Sequence, residues 1–180
     1  MTRYVALLRG INVGGKNIIK MAALAACFEA NGFRGVSTFI QSGNVLFDGD
    51  GAAAALARRL EAMLGDAFGY RASVVLRTRA QVAQVIDRAP AGFGDEPDRY
   101  RYDVFFLKAP LTAADALATV PVREGVDATH AGPGVLYATR LIRKAAQSRI
   151  ARLTAMPIYQ QMTIRNWATT TRLHALLRGA

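Results

Sequence analysis

Val36-Ser37-Thr38-Phe39-Ile40-Gln41-Ser42-Gly43-Asn44-Val45-Leu46-Phe47 decides the fold. Val36–Gln41 is rich in β-branched and aromatic residues, and Val45–Phe47 is apolar again. Ser42-Gly43-Asn44 between them is turn chemistry, so the stretch reads as a β-hairpin. On its N-terminal side, Met21–Ala30 sets Met21, Leu24, Ala25 and Phe28 on one helical face and stops at Asn31-Gly32. On its C-terminal side, Ala52–Leu64 carries the stripe Leu56, Leu60, Met63 and Leu64 and ends at Gly65 or Gly69. Tyr4–Leu8 reads as a buried strand and Ala72–Arg77 as the fourth strand. The order strand, helix, strand, strand, helix, strand is the split βαβ arrangement.

The same order recurs more loosely downstream. Gln81–Arg88 reads as helix, and Ala89–Asp98, rich in Pro, Gly and acids, as a linker. Tyr102–Leu107 is a strand, Ala113–Ala118 a short helix, and Val126–His130 and Val135–Thr139 strands about a Gly-Pro-Gly turn. Ser148–Ala155 reads as helix up to Met156-Pro157, Met162–Arg165 as extended, and Thr169–Leu177 as a closing helix. The expectation is an α+β chain of two tandem ferredoxin-like (split βαβ, α-β plait) units, 1–80 and 81–180.

Of the 180 residues, 52% are hydrophobic, enough for packed cores, and no apolar run approaches the ~20 residues of a membrane span. The N-terminus runs straight into a strand without a signal-like apolar core. The single cysteine, Cys27, cannot form an internal disulfide. Both point to the cytoplasm. The net charge is +10, unevenly spread. Residues 1–28 carry Arg3, Arg9, Lys16 and Lys20 without one acid, and residues 128–180 carry eight basic residues without one acid. If those ends share a face, they attract polyanions.

Gly10-Ile11-Asn12-Val13-Gly14-Gly15-Lys16-Asn17 matches G-x-x-x-x-G-K between a strand and a helix, but Asn17 stands where a phosphate loop needs a magnesium-binding hydroxyl. Asp103 stands ahead of its strand instead of closing it, so no second metal-holding carboxylate completes the motif. Two readings stay open. The glycine amides, flanked by Arg9 and Lys16, cradle a phosphate, or the glycines only supply positive backbone angles. Gln41, Ser42 and Asn44 sit at the hairpin turn, where amides can read a ligand. Arg165, Asn166 and Trp167 form a third cluster, in which Trp167 either plugs the core or offers a stacking surface and Asn166 or Thr169 can cap the last helix. The candidate ligand contacts are therefore Arg9, Asn12, Gly14, Gly15, Lys16, Gln41, Ser42, Asn44, Arg165, Asn166 and Trp167. With two histidines and one cysteine there is no zinc pattern; no metal or cofactor is expected, and no catalytic set stands out.

Tyr4 to Asn17, Ile19-Lys20-Met21, Phe39-Ile40-Gln41-Ser42-Gly43-Asn44-Val45 and Met162 to Thr169 together resemble the bacterial family known as domain of unknown function 1697. The resemblance implies two tandem ferredoxin-like plaits and carries no activity, cofactor or catalytic residue with it. One departure is Ala168-Thr169 after Trp167, where relatives more usually have Asn-Thr. The functional expectation is a binding protein for a phosphate-bearing polyanion, nucleic acid above all, with Arg9, Lys16 and Arg165 on phosphate. The rival is an enzyme acting on a small phosphorylated or nucleotide-like metabolite, favoured if the loops enclose one pocket.

Overall fold

The computed structural model describes residues 1–179. It is α+β, with two four-stranded antiparallel sheets and accompanying helices. The chain divides into two units. One comprises Met1–Ala80 with the chain from Ala175 onward, the other Gln81–His174.

The first unit runs β1 (Thr2–Leu8), α1 (Met21–Ala30), β2 (Arg34–Phe39), β3 (Asn44–Gly49), α2 (Ala53–Phe68) and β4 (Val74–Thr78). Its strand order is β2-β3-β1-β4. Tyr4, Ala6 and Leu8 of β1 face one way, toward Leu24 and Phe28 of α1 and Leu56, Leu60 and Leu64 of α2. Each large side chain fully buried there contributes about 1.5–3 kcal/mol. Phe47 of β3 is the hub, stacked on Tyr4 at 5.7 Å and meeting Phe28 and Phe33 edge-on. Val5 and Leu7 are buried too, which is why β1 shows an unbroken apolar run instead of alternation. Helix α2 ends at Gly69, whose left-handed φ of 65° lets its N–H reach the Gly65 carbonyl.

The chain continues with α3 (Arg79–Asp87), β5 (Tyr100–Leu107), α4 (Ala113–Thr119), β6 (Asp127–Gly132), β7 (Val135–Leu141), β8 (Met162–Asn166) and α5 (Trp167–Arg178), of which the four strands build the sheet of the second unit. Its strand order, β6-β7-β5-β8, repeats that of the first sheet. The match extends to individual bonds. Leu8 N–H donates to Gly43 O at 2.8 Å and Leu107 N–H to Gly134 O at 3.0 Å; Arg9 N–H donates to Ser73 O at 2.9 Å and Lys108 N–H to Gln161 O at 2.8 Å.

Two sequence expectations need correction. Ala89–Asp98 is not a linker but part of the second unit, pinned by Phe93, which packs edge-on against Tyr102, Tyr137 and Trp167 at 5.0–5.3 Å. The expected helix at Ser148–Ala155 is replaced by three 3₁₀ stretches, Ile142–Gln147, Ile150–Ala155 and Pro157–Gln161. Asp127 diverts the chain there, accepting from Ser148 Oγ at 2.6 Å and from the Arg149 N–H at 2.8 Å. Pro157, lacking an N–H, then prevents a longer helix from forming. Among the described residues, no helix is long and apolar enough to cross a membrane.

Candidate functional site

The Gly10–Asn17 loop is built on left-handed backbone: Gly10, Asn12, Gly14, Gly15 and Asn17 all have φ between 48° and 74°. Val13 and Lys16 bridge across it, the Lys16 N–H reaching Val13 O at 3.1 Å, and the Asn12 N–H reaches Asn17 O at 3.1 Å. Gly14 and Gly15, both at positive φ, are the centre of a type I′ turn. The segment is thus an exposed miniature hairpin, and the literal G-x-x-x-x-G-K match ends at the spacing.

Two of the asparagines in the candidate set hold this geometry. The Asn12 side chain donates to Ile19 O at 3.0 Å and to Gln41 O at 2.8 Å, and accepts from the Ile19 N–H at 2.8 Å. It ties the loop to the β2–β3 turn. Asn44 is fully buried, with Nδ2 donating to Phe39 O at 2.8 Å and to Ser42 Oγ at 3.0 Å. Between them Gly43 has φ 77°, and a Cβ there would stand 2.6 Å from Ile11 Cδ1 and 2.9 Å from Leu8 Cβ. Only glycine fits.

Lys16, Lys20 and Gln41 remain exposed and Arg9 is half-buried. The same two segments also expose three apolar side chains, Val13 (66%), Ile18 (76%) and Ile40 (46%). Ile40 adopts φ 50°, a costly conformation for a β-branched residue. Lys20 occupies the N-cap of α1 without a side-chain hydrogen bond, so the first-turn amides have no side-chain cap. The candidate contacts read from the sequence leave out Lys20 and this apolar trio. The doublet Ile18-Ile19 was a usable signal: Ile19 is 4% exposed, and its neighbour points outward.

Arg165, Asn166 and Trp167 belong to the second unit. Arg165 is 6% exposed and donates from Nη1 to Thr163 Oγ1 and Ile164 O, each at 2.8 Å. Burial pushes its pKa down to about 10. Arg77, at the matching place in the first sheet, is pushed down to about 10 by the same cause. Asn166 Oδ1 accepts from the Thr169 N–H at 2.7 Å, capping α5. Trp167 packs edge-on to Phe93 at 5.1 Å and lies over Gly94, where a Cβ would clash with its ring. These three side chains are engaged in the structure of their own unit.

A second polar group lies elsewhere in that unit. Asp103, inside β5 and not ahead of it, is 5% exposed, with Oδ2 accepting from Arg101 Nε at 2.9 Å and lying 3.6 Å from Arg140 Nη2. No cluster of three or more His, Cys, Asp or Glu that could hold a metal occurs among the described residues.

Against known proteins, a family model described as "Protein of unknown function (DUF1697)" matches residues 1–137. Among solved structures, the chain resembles a conserved bacterial protein, SP0830 from Streptococcus pneumoniae. The TM-score is 0.85 at 27% identity, covering 98% of each chain. No curated protein matches.

Proposed function

The chain belongs to the DUF1697 family, and from that premise we propose a binding protein for a phosphate-bearing polyanion, nucleic acid above all, acting through the Gly10–Asn17 loop. The carrying observation is the exposure of Lys16 and Lys20 with Val13 and Ile18, in a stretch of 28 residues without an acid, and of Ile40 in the β2–β3 turn that Asn12 ties to it. The lysines and Arg9 suit phosphates. The apolar side chains suit the sugar and base surfaces of a single strand. The uncapped start of α1 adds the positive end of a helix dipole to the same place. Strain at Ile40 supports the reading, because strained exposed residues concentrate where a ligand makes use of them. A small phosphorylated metabolite would need a walled cradle, which a two-residue turn tip does not offer.

Each unit is, in this reading, a ferredoxin-like plait. The order β2-β3-β1-β4 with α1 and α2 on one sheet face supports it for the first unit, and the repeated order supports it for the second. A reducing, cytoplasmic setting fits the lone Cys27, whose thiol pKa is raised by burial.

Fluorescence anisotropy with labelled single-stranded RNA and DNA tests the function. Three phosphate contacts on a single strand give a log–log salt slope of about −2. The double variant Lys16→Glu/Lys20→Glu should weaken binding and flatten that slope by more than half. Binding that ignores salt, or that survives the double variant unchanged, overturns the proposal.

A further inference from the structure

The repeated strand order makes the two sheets comparable position by position, and at one position they differ in kind. Matching hydrogen bonds at Leu8 and Leu107 put Tyr4 in register with Asp103, and Phe47 with Ala138. In the first unit, Tyr4 pairs with Phe47 and the two rings stack at 5.7 Å, filling that end of the core. In the second, the facing pair is Asp103 and Ala138, a short carboxylate opposite a methyl group. The cover differs as well: α2 spans 16 residues in the first unit, while 3₁₀ stretches occupy the β7–β8 connection of the second. The result is an open cleft of about 430 Å³ between β5 and the segment from Ile150 to Tyr159. That volume is within the range of small-molecule sites.

The cleft has three kinds of wall. Phe105, Ile150, Leu153 and Ile164 are apolar. Arg101 and Arg140 supply guanidinium groups whose N–H count exceeds what a single Asp103 oxygen can accept. Asp103 Oδ1, buried, accepts no hydrogen bond, while both arginines approach Oδ2. A buried carboxylate oxygen without a donor is a rare arrangement that a ligand's N–H or O–H would resolve.

We propose that this cleft binds a small organic anion that also carries a hydrogen-bond donor and an apolar body. The anion, carboxylate or phosphate, faces Arg101 and Arg140; the donor, an amine or hydroxyl, faces the Asp103 carboxylate; the apolar part lies against Tyr159 and Ile164. Two sources share this chemistry, α-amino acids with apolar side chains and nucleoside monophosphates. The site is independent of the polyanion loop, and neither proposal requires the other.

The test is thermal shift and isothermal titration of the full chain with L-phenylalanine, L-leucine, adenosine monophosphate and cytidine monophosphate. One arm of the panel should raise the melting temperature and give one-site binding. If the amino acids bind, 3-phenylpropionate, which keeps the anion and ring but lacks the amine, should bind about 10- to 100-fold more weakly than L-phenylalanine. Asp103→Ala should weaken the binding arm by a similar factor. Thr154→Trp, at an exposed position on the rim, should abolish binding by plugging the cleft, and it keeps the test decisive if the Asp103 variant fails to fold. No response to any of the four probes at 10 mM (about a hundredfold above a 0.1 mM Kd), or a response that both variants leave unchanged, overturns the proposal.

Discussion

Asp103 shows how a single side chain can work against its own fold. Burial raises its pKa above the ordinary aspartate value of 3.8, and this outweighs Arg101 and Arg140, which pull it down. The folded state therefore holds that proton more tightly than the unfolded state does. Stability from this group grows as pH falls into the window between the raised value and 3.8, and is lost as pH rises out of it. Asp103→Asn mimics the protonated form at every pH. At pH 7 the variant should be at least as stable as the wild type in urea unfolding, with the gap closing toward pH 4. A variant clearly less stable at pH 7 would mean that the two arginine pairs outweigh burial. Part of this was legible in Tyr100-Arg101-Tyr102-Asp103-Val104-Phe105, where an acid interrupts an apolar strand. That its Oδ1 is left without a donor was not, because that depends on Ala138, 35 positions away, being too small to fill the space.

At the level of elements, local chemistry was readable wherever the deciding partners were close in sequence. The hairpin about Gly43 and both helices of the first unit follow from periodicity and turn residues, and they form within a few residues of the expected bounds. The Gly10–Asn17 loop was readable as a turn but not as an upright hairpin, since Asn12 fixes it through Ile19 and through Gln41, 29 residues downstream. The 3₁₀ connection escaped for the same reason, as Asp127 acts on Ser148 and Arg149 from more than 20 residues upstream. Asn12 is thus the joint between loop and hairpin turn, and its removal tests whether the loop must be held upright to work. Asn12→Ala loses three hydrogen bonds and leaves the Ile19 N–H and two carbonyls short of a partner. It should destabilise the protein by about 1–3 kcal/mol in denaturant titration. It should also weaken single-strand binding although Lys16 and Lys20 are untouched. Unchanged affinity would show that the lysines act as free charges and that the loop's shape is irrelevant.

At the scale of the whole molecule, the question is whether the excess of positive charge acts through a place or merely through its sum. A chain of net charge +10 attracts any polyanion at low ionic strength, so attraction alone decides nothing. Two double variants separate the cases because each lowers the net charge by four. Lys16→Glu/Lys20→Glu alters the loop and the start of α1; Arg143→Glu/Arg152→Glu alters exposed side chains in the 3₁₀ connection of the other unit. A single-stranded oligonucleotide present at a hundredfold excess over its Kd should raise the melting temperature of the wild type by about 5–10 °C in low salt. If the ligand uses the loop, the lysine variant loses most of that rise and the arginine variant keeps it. If only net charge matters, both variants lose the same amount, since the long-range field does not distinguish where four charges were removed. Raising the salt to 0.5 M shortens the screening length to about 4 Å and should erase a pure field effect. A residual shift that the lysine variant keeps would then belong to the close contacts of Val13, Ile18 and Ile40, which salt does not screen and the two substitutions leave in place.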